Sequence, residues 1–469
     1  MHGILVTTLL FLSIVMLGNV AIAQEPALPS GLGTEPALPS GLMNEEEPSL
    51  PSGLNGLSDE FSADLSEDGP WQFNGFWEVR LGEWLKQKEF LGNNPIAETR
   101  LHLNTDRTYE YLTFNLSADL LYDNVANKHR PKLETGQGWL DLRVANVIFS
   151  PNSAIDIKVG RQVLTWGTGD LIFINDLFPK DWNSFLIGRD DAYLKAPSDA
   201  MKVSIFSNHI NLDLVYTPRF DSDRYINGER VSYYNTNFGR IAGTDAVIHI
   251  EKPDDWFEDD ELALRLYRNI ATWEVAFYGY DGYWKSPAGA NPSTGNAIFP
   301  RLSVYGFSLR GPLLGGIASS EWGNYHSKDD AKGNNPFISN SEQRLLLAYE
   351  RELITNLTLG LQYYTIHMLD YTAYQQTLPT GIPKKRKNRH EISTRLTWLA
   401  LNQKLTSSLY VRYSQSDKDY YLQPKIRYSV DDHWSYELGA NIFYGDKEHT
   451  FFGQFENNDN IYLALRYGL

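Results

Sequence analysis

The chain has no cysteine in 469 residues. That excludes a disulfide scaffold, a thiolate zinc site, an iron–sulfur cluster and a lipid anchor on a cysteine. After the first two dozen residues, no window approaches roughly 18 uninterrupted apolar residues, so a bundle of membrane-crossing helices is excluded as well. Base is scarcer than acid, 42 against 58, for a formal net charge of -16. A general nucleic-acid binder needs the reverse balance. G-x-S-x-G, H-E-x-x-H and P-loop motifs are all missing. No catalytic residue, metal ligand or cofactor site is assigned.

What remains is a Gly-rich and aromatic-rich chain, with 36 Gly and 28 Tyr. It divides into three stretches. Ile4 to Leu17 is an uncharged apolar run followed by Ala21-Ile22-Ala23. This has the form of a secretory signal peptide over 1–23, with the mature chain starting near Gln24. Residues 24–70 hold three copies of one octamer, Glu25–Leu32, Glu35–Leu42 and Glu47–Leu54. Two prolines per copy prevent helix and central strand, so this acidic leader is expected to be a disordered periplasmic spacer. Each copy keeps two leucines, which makes residues 25–54 a candidate docking peptide for a periplasmic partner. The leader carries ten acids and no base, so the rest of the chain is nearly balanced.

From Trp71 to Leu469 the sequence alternates with period 2. Leu140, Leu142 and Val144 alternate with Asp141 and Arg143, and Leu101 and Leu103 alternate with Arg100, His102 and Asn104. Eighteen such segments are expected, with sixteen as an alternative count: 72–85, 96–105, 109–123, 136–149, 154–166, 200–207, 209–217, 260–268, 271–284, 301–310, 316–326, 341–352, 355–368, 389–401, 404–416, 419–430, 433–445 and 460–469. Most run ten to fourteen residues, long enough to cross a membrane when tilted and longer than soluble strands. Short turns (106–108, 150–153, 269–270, 311–315, 402–403, 431–432) alternate with long connections, and only Asp417-Lys418 breaks the long set. The expected fold is all-β: a transmembrane antiparallel barrel in the outer membrane of a Gram-negative bacterium. Its termini would lie in the periplasm, its apolar faces on lipid and lipopolysaccharide, and its charged faces in the lumen. Trp139, Trp166, Tyr216, Trp284, Trp398, Tyr420, Tyr421, Trp434, Tyr444 and Tyr462 are expected near the two rims. The alternation of Ile461, Leu463, Leu465, Tyr467 and Leu469 suits a strand recognised by the barrel-assembly machinery.

Gly160-Arg-Gln-Val-Leu-Thr-Trp-Gly167, followed by Asp170, Asp176, Leu177, Phe178, Pro179 and Asp181, resembles the G-R-Q-x-x-x-W-G element of a family of large porin-like outer-membrane barrels, similar to the alginate-export porins. The resemblance covers roughly 71–469. It implies a transport barrel and assigns no substrate.

Segment 167–199 is too apolar for a free connection of its length, with Leu171-Ile-Phe-Ile174, Trp182 and Phe185-Leu-Ile187, so it should be packed. The simplest place is the lumen, as a constriction built from Trp166, Asp170, Asp176, Lys180, Asp181, Arg189, Asp190, Asp191 and Lys195. Facing it would be Arg80, Arg100, Asp119, Asp141, Arg143, Arg265, Arg395, Arg412, Arg427 and Arg466, setting a transverse field across the pore. Asp141 with Arg143 and Glu98 with Arg100 would be local pairs. Lys384 to Lys387 form a basic run in a surface loop, able to meet phosphates of lipopolysaccharide. Glu251 to Glu261 is an acidic stretch matching no calcium loop. The leading functional reading is a passive channel for small polar or oligomeric solutes. The others are an export outlet contacted through the leader, and a barrel enzyme with a sparse Ser/His/acid set around His102, His326, His367 or His390.

Overall fold

The computed structural model describes residues 71–124 and 130–469. The signal peptide, the leader repeats and their expected partner site lie outside the described residues. Eighteen strands form one antiparallel sheet: β1 Gln72–Trp84, β2 Ala97–Tyr109, β3 Leu112–Asp123, β4 Leu140–Asn152, β5 Ile155–Val163, β6 Pro197–Ile205, β7 Asn211–Thr217, β8 Glu261–Ile270, β9 Trp273–Tyr283, β10 Arg301–Leu313, β11 Gly316–Ser327, β12 Glu342–Ile354, β13 Leu357–Met368, β14 Asn388–Ala400, β15 Leu405–Ser414, β16 Asp419–Ser429, β17 Trp434–Gly445 and β18 Asn460–Gly468. Each pairs with its neighbour in sequence, and β18 pairs back onto β1 from Phe76↔Gly468 to Trp84↔Asn460. The sheet therefore closes and leaves no unpaired edge, which is what a sheet in lipid requires.

Burial is inverted relative to a soluble protein. The outward residues are large and apolar: Phe73, Leu81, Leu103, Leu116, Phe277, Tyr305, Leu361 and Leu463 are all exposed. The alternate positions are charged and enclosed: Glu78, Arg80, Glu98, Arg100, Asp119, Asp141, Arg143, Glu321, Glu391 and Glu437 are all buried. An apolar surface this extended, around a polar interior, is stable only against hydrocarbon. Among the described residues no helix is long and apolar enough to cross a membrane.

Short turns lie at one end of the barrel, with the start of β1 and the end of β18; long connections lie at the other. Several turns sit later than the polar residues suggest. The first is Glu110-Tyr111, because Asp106 to Tyr109 stay in register with Asn115 to Leu112. The turn expected at Asn269-Ile270 falls on Ala271-Thr272 for the same reason, since Ile270 pairs with Trp273. Glu110 and Ala271 take positive φ, +47° and +53°, so the ladder is extended at the expense of local backbone preference. The strand expected from 136 begins at Leu140, and the one expected to reach 166 ends at Val163.

The rim aromatics divide into two groups. Trp139 and Tyr444 are exposed, whereas Tyr421 and Tyr462 point inward and are fully buried. Trp166 and Trp284 pack inside against the cluster of Ile174, Tyr280 and Tyr325. Period 2 from Ile461 already places Tyr462 on the face of Arg466; nearness to a strand end does not decide which face a ring occupies.

Candidate functional site

The G-R-Q-x-x-x-W-G element ends β5 and launches the 33-residue connection to β6. Gly160 has φ +119°, and a Cβ there would sit 2.4 Å from the carbonyl oxygen of Ala145, so only glycine fits. Arg161 donates to Leu142 O at 2.6 Å and to Asp199 at 2.9 Å. Gln162 donates to Ala200 O at 2.9 Å. Thr165 donates to Asp176 at 2.8 Å, and Trp166 lies edge-on to Phe178 with ring centroids 4.8 Å apart. The element thus bonds both ends of the connection to the wall and folds its first turn back on itself.

Beyond it, Glu321 of β11 organises the chain. Its carboxylate accepts from Thr168 N, from Thr168 Oγ1 at 2.9 Å, from Gly169 N at 3.1 Å, and from Asn175 N and Nδ2 at 3.3 and 3.1 Å. Gln362 of β13 brackets Asp170, accepting from its N–H at 2.9 Å and donating to its carbonyl at 2.8 Å. Tyr325 donates to Ile174 O. The short helix α1, Trp182–Ile187, is capped by Asp181, which accepts from Ser184 N at 2.8 Å. It stops at Gly188, φ +82°, where a Cβ would collide with the ring of Tyr462.

Nearly every charge named from the sequence is found in an ion pair or a specific hydrogen bond. Asp170 meets Arg395 in a two-pronged pair, 2.6 and 3.0 Å. Arg189 binds Glu98 at 2.6 Å and Asp123 at 3.0 Å. Asp190 is shared by Arg427 and Arg466, both at 2.9 Å, and Asp191 takes Lys425 at 3.0 Å. Arg80 donates to Gly188 O at 2.6 Å and to Glu437 at 2.9 Å. Arg143 donates to Lys195 O at 2.7 Å. Lys180 folds onto Asp176 at 2.9 Å. Arg100 does pair with Glu98 and with Asp119. Three residues from the set make no bond or ring contact with the segment: Asp141, Arg265, which pairs with Glu274 at 2.7 Å, and Arg412, which pairs with Glu391 beside Phe452. The expected Asp141–Arg143 pair is a distant 4.0 Å; Asp141 is held instead by Arg224, at 2.7 and 2.8 Å.

Arg224 belongs to the 218–260 connection, as do Asp223, which accepts from Lys180 N at 2.7 Å and Trp182 Nε1 at 2.9 Å, and Arg230, at 2.5 Å from Asp123. Tyr193 donates to Asp119 at 3.1 Å and lies between the guanidinium groups of Arg100 and Arg143, 4.1 and 4.8 Å from its ring centre. Sequence reasoning missed these residues and Glu321. The acidic stretch is dispersed among protein partners: Glu251 accepts from Asn291, Thr294 and Asn296, and Glu261 from Lys285 and Tyr280. His102 lies 2.7 Å from Asp119 and stacks on Phe76.

Apolar contacts accompany the ion pairs. Leu171, Phe185, Leu186, Ile187 and Leu194 pack with Tyr410, Tyr421, Phe443 and Tyr462, while Ile172, Ile174 and Phe178 pack with Tyr280, Val304, Tyr325, Leu346 and Tyr364. Burying one such side chain is worth about 1.5–3 kcal/mol.

Burial pushes the Asp190 carboxyl up, but the charges of Arg466, Arg427 and Lys425 prevail and hold it well below the usual carboxylate range. A carboxyl depressed by folding stabilises in full above its unfolded value and loses that contribution only as pH falls through the lower, folded one. The contribution of Asp190 should therefore persist from neutral pH down to about pH 4. Asp190→Asn should cost the same stability at pH 7 as at pH 5, read as urea midpoints in one detergent; a cost that vanishes at pH 5 would contradict this.

The architecture has counterparts among solved structures. A BenF-like porin from Pseudomonas fluorescens Pf-5 matches with TM-score 0.52 at 9% identity, over 85% of this chain and 98% of that one. OccAB4 of Acinetobacter baumannii matches with TM-score 0.51 at 12% identity, over 86% and 99%. The fold is that of a porin. OccAB3 of Acinetobacter baumannii gives TM-score 0.50 at 10% identity, over 85% and 99%. No family profile and no curated protein matches the chain. At this identity the porin likeness establishes the fold, and the solute must be argued from the chain's own residues.

Proposed function

We propose that the chain is an outer-membrane porin passing small polar or oligomeric solutes, with segment 167–199 folded into the lumen as its constriction. The long connections face outward and both termini face the periplasm. One observation carries this reading: residues 168–195 bond to inward side chains of β1 (Arg80), β2 (Glu98), β3 (Asp119), β11 (Glu321), β14 (Arg395), β16 (Lys425) and β18 (Arg466). A single segment reaches strands this far apart around a closed barrel most directly by crossing its interior. The loop acids rest on wall cations, so the field that a solute feels is local to each pair. The resemblance to alginate-export porins belongs to this proposal: the Gly160 element is the device that launches the constriction.

The test is electrical. The refolded chain in a planar bilayer should give discrete, stable conductance steps. Persistently silent membranes, with insertion verified by heat-modifiable mobility, would overturn the proposal.

A further inference from the structure

We infer that Lys384–Lys387 form a seat for the phosphate groups of a lipid in the outer leaflet, as in lipopolysaccharide. The inference rests on the proposed orientation of the barrel. The run ends the 369–387 connection, and all four residues are exposed. Arg386 has only a 4.0 Å approach to Asp417, and Lys384, Lys385 and Lys387 have no ion pair among the described residues. A loose hairpin tip would leave the backbone equally free, and this one is fixed. Helix α2, Tyr371–Thr377, supplies two tyrosines that clasp Lys385: Tyr371 donates to its carbonyl at 3.0 Å, and Tyr374 accepts from its N–H at 2.9 Å. The carbonyl of Lys387 accepts from Met368 N at 2.8 Å, which pins the run to the top of β13 and β14.

What lies beneath decides the occupant. Passing from the run down the outward face of these strands, His367 stands opposite Asn388, then Thr365 opposite His390, then Tyr363 opposite Ile392, then Leu361 opposite Thr394 and Leu359 opposite Leu396; Tyr363 stacks on His390, 2.8 Å from its Nδ1. Cation, imidazole and phenol, then aliphatic surface is the order in which a phosphorylated lipid presents phosphate, glycerol or sugar, and acyl chain. A free phosphate ion would use only the first layer.

The experiment titrates the refolded full chain with lipopolysaccharide, with lipopolysaccharide stripped of its lipid A phosphates, and with inorganic phosphate, read by native mass spectrometry and calorimetry. Intact lipopolysaccharide should bind at least about tenfold more tightly than either of the others. The combined Lys384→Gln, Lys385→Gln and Lys387→Gln variant should lose about tenfold in that affinity, and the matching three-arginine variant should keep it. Equal lipopolysaccharide binding by wild type and glutamine variant would overturn the seat, and equal binding of inorganic phosphate would overturn its assignment to lipid. Conductance of the glutamine variant separates the two readings: lysine-dependent binding in a protein that never conducts would sink the channel and leave the lipid seat standing.

Discussion

Removing residues 171–187 should raise single-channel conductance several-fold while leaving the barrel folded. These residues supply Leu171, Ile172, Ile174, Phe178 and α1, and thus most of the apolar material that joins the segment to the walls. None of them is a barrel strand, and the wall is held by its own ladders, from β1–β2 round to β18–β1. Resistance of a pore falls as its narrowest cross-section widens, so the effect should be largest if the segment is the narrowest point. A milder version is Glu321→Ala. It frees the amides of Thr168, Gly169 and Asn175, and should give noisier steps with frequent excursions to higher conductance. Deletion without any change in conductance would mean that the solute path runs elsewhere.

The second large effect concerns stability. Arg224→Leu should destabilise the folded protein by about 3–5 kcal/mol, the usual result of orphaning a buried charge. Asp141 and Arg224 are each about one-twentieth exposed or less, and the guanidinium also reaches Asp181 at 3.4 Å and the carbonyl of Glu134 at 3.2 Å. With Arg224 gone, the nearest cation to Asp141 is Arg143, whose Nη2 is held by the carbonyls of Lys195 and Ala192 and whose Nη1 stands 4.0 Å away, beyond hydrogen-bond reach. The companion is Arg224→Leu combined with Asp141→Leu, which removes both charges and should recover most of the loss. Urea midpoints of the two variants in one detergent decide the matter. A double variant as unstable as the single one would show that Arg224 acts through shape, against Gly136 for example, instead of charge.

Much of this molecule was legible in order along the chain, because a barrel strand writes its environment into alternate letters. Thr113, Asn115, Ser117 and Asp119 against Phe114, Leu116 and Leu120 fix a face without any knowledge of the neighbours. The segment after Gly160 was legible as packed for the same kind of reason, an excess of apolar side chains where water would otherwise be. Its partners were not. Glu321 sits in a strand of Ser, Gly and Asn and looks like any lumenal acid, and Arg224 is one base among many in a long connection. Which acid an arginine finds depends on how a connection meets a wall strand 83 residues away in sequence, and no local pattern carries that information. The pair Asp141–Arg143 shows the limit well: two residues on one face of one strand meet only at 4.0 Å, whereas a guanidinium from outside the strand approaches in line and takes both carboxylate oxygens.

The pairing of the last strand with the first has a kinetic consequence. Trp84 meets Asn460 and Phe76 meets Gly468, so the seam joins the two ends of the described chain. Every other ladder in the wall is made between neighbours in sequence and can form as the chain arrives. The seam alone must wait for almost four hundred residues, and until it forms β1 presents a bare row of amides and carbonyls that any extended chain could occupy. Closure is thus one late event with a high entropic barrier, and a chain halted before Asn460 would persist as an open sheet with two adhesive margins.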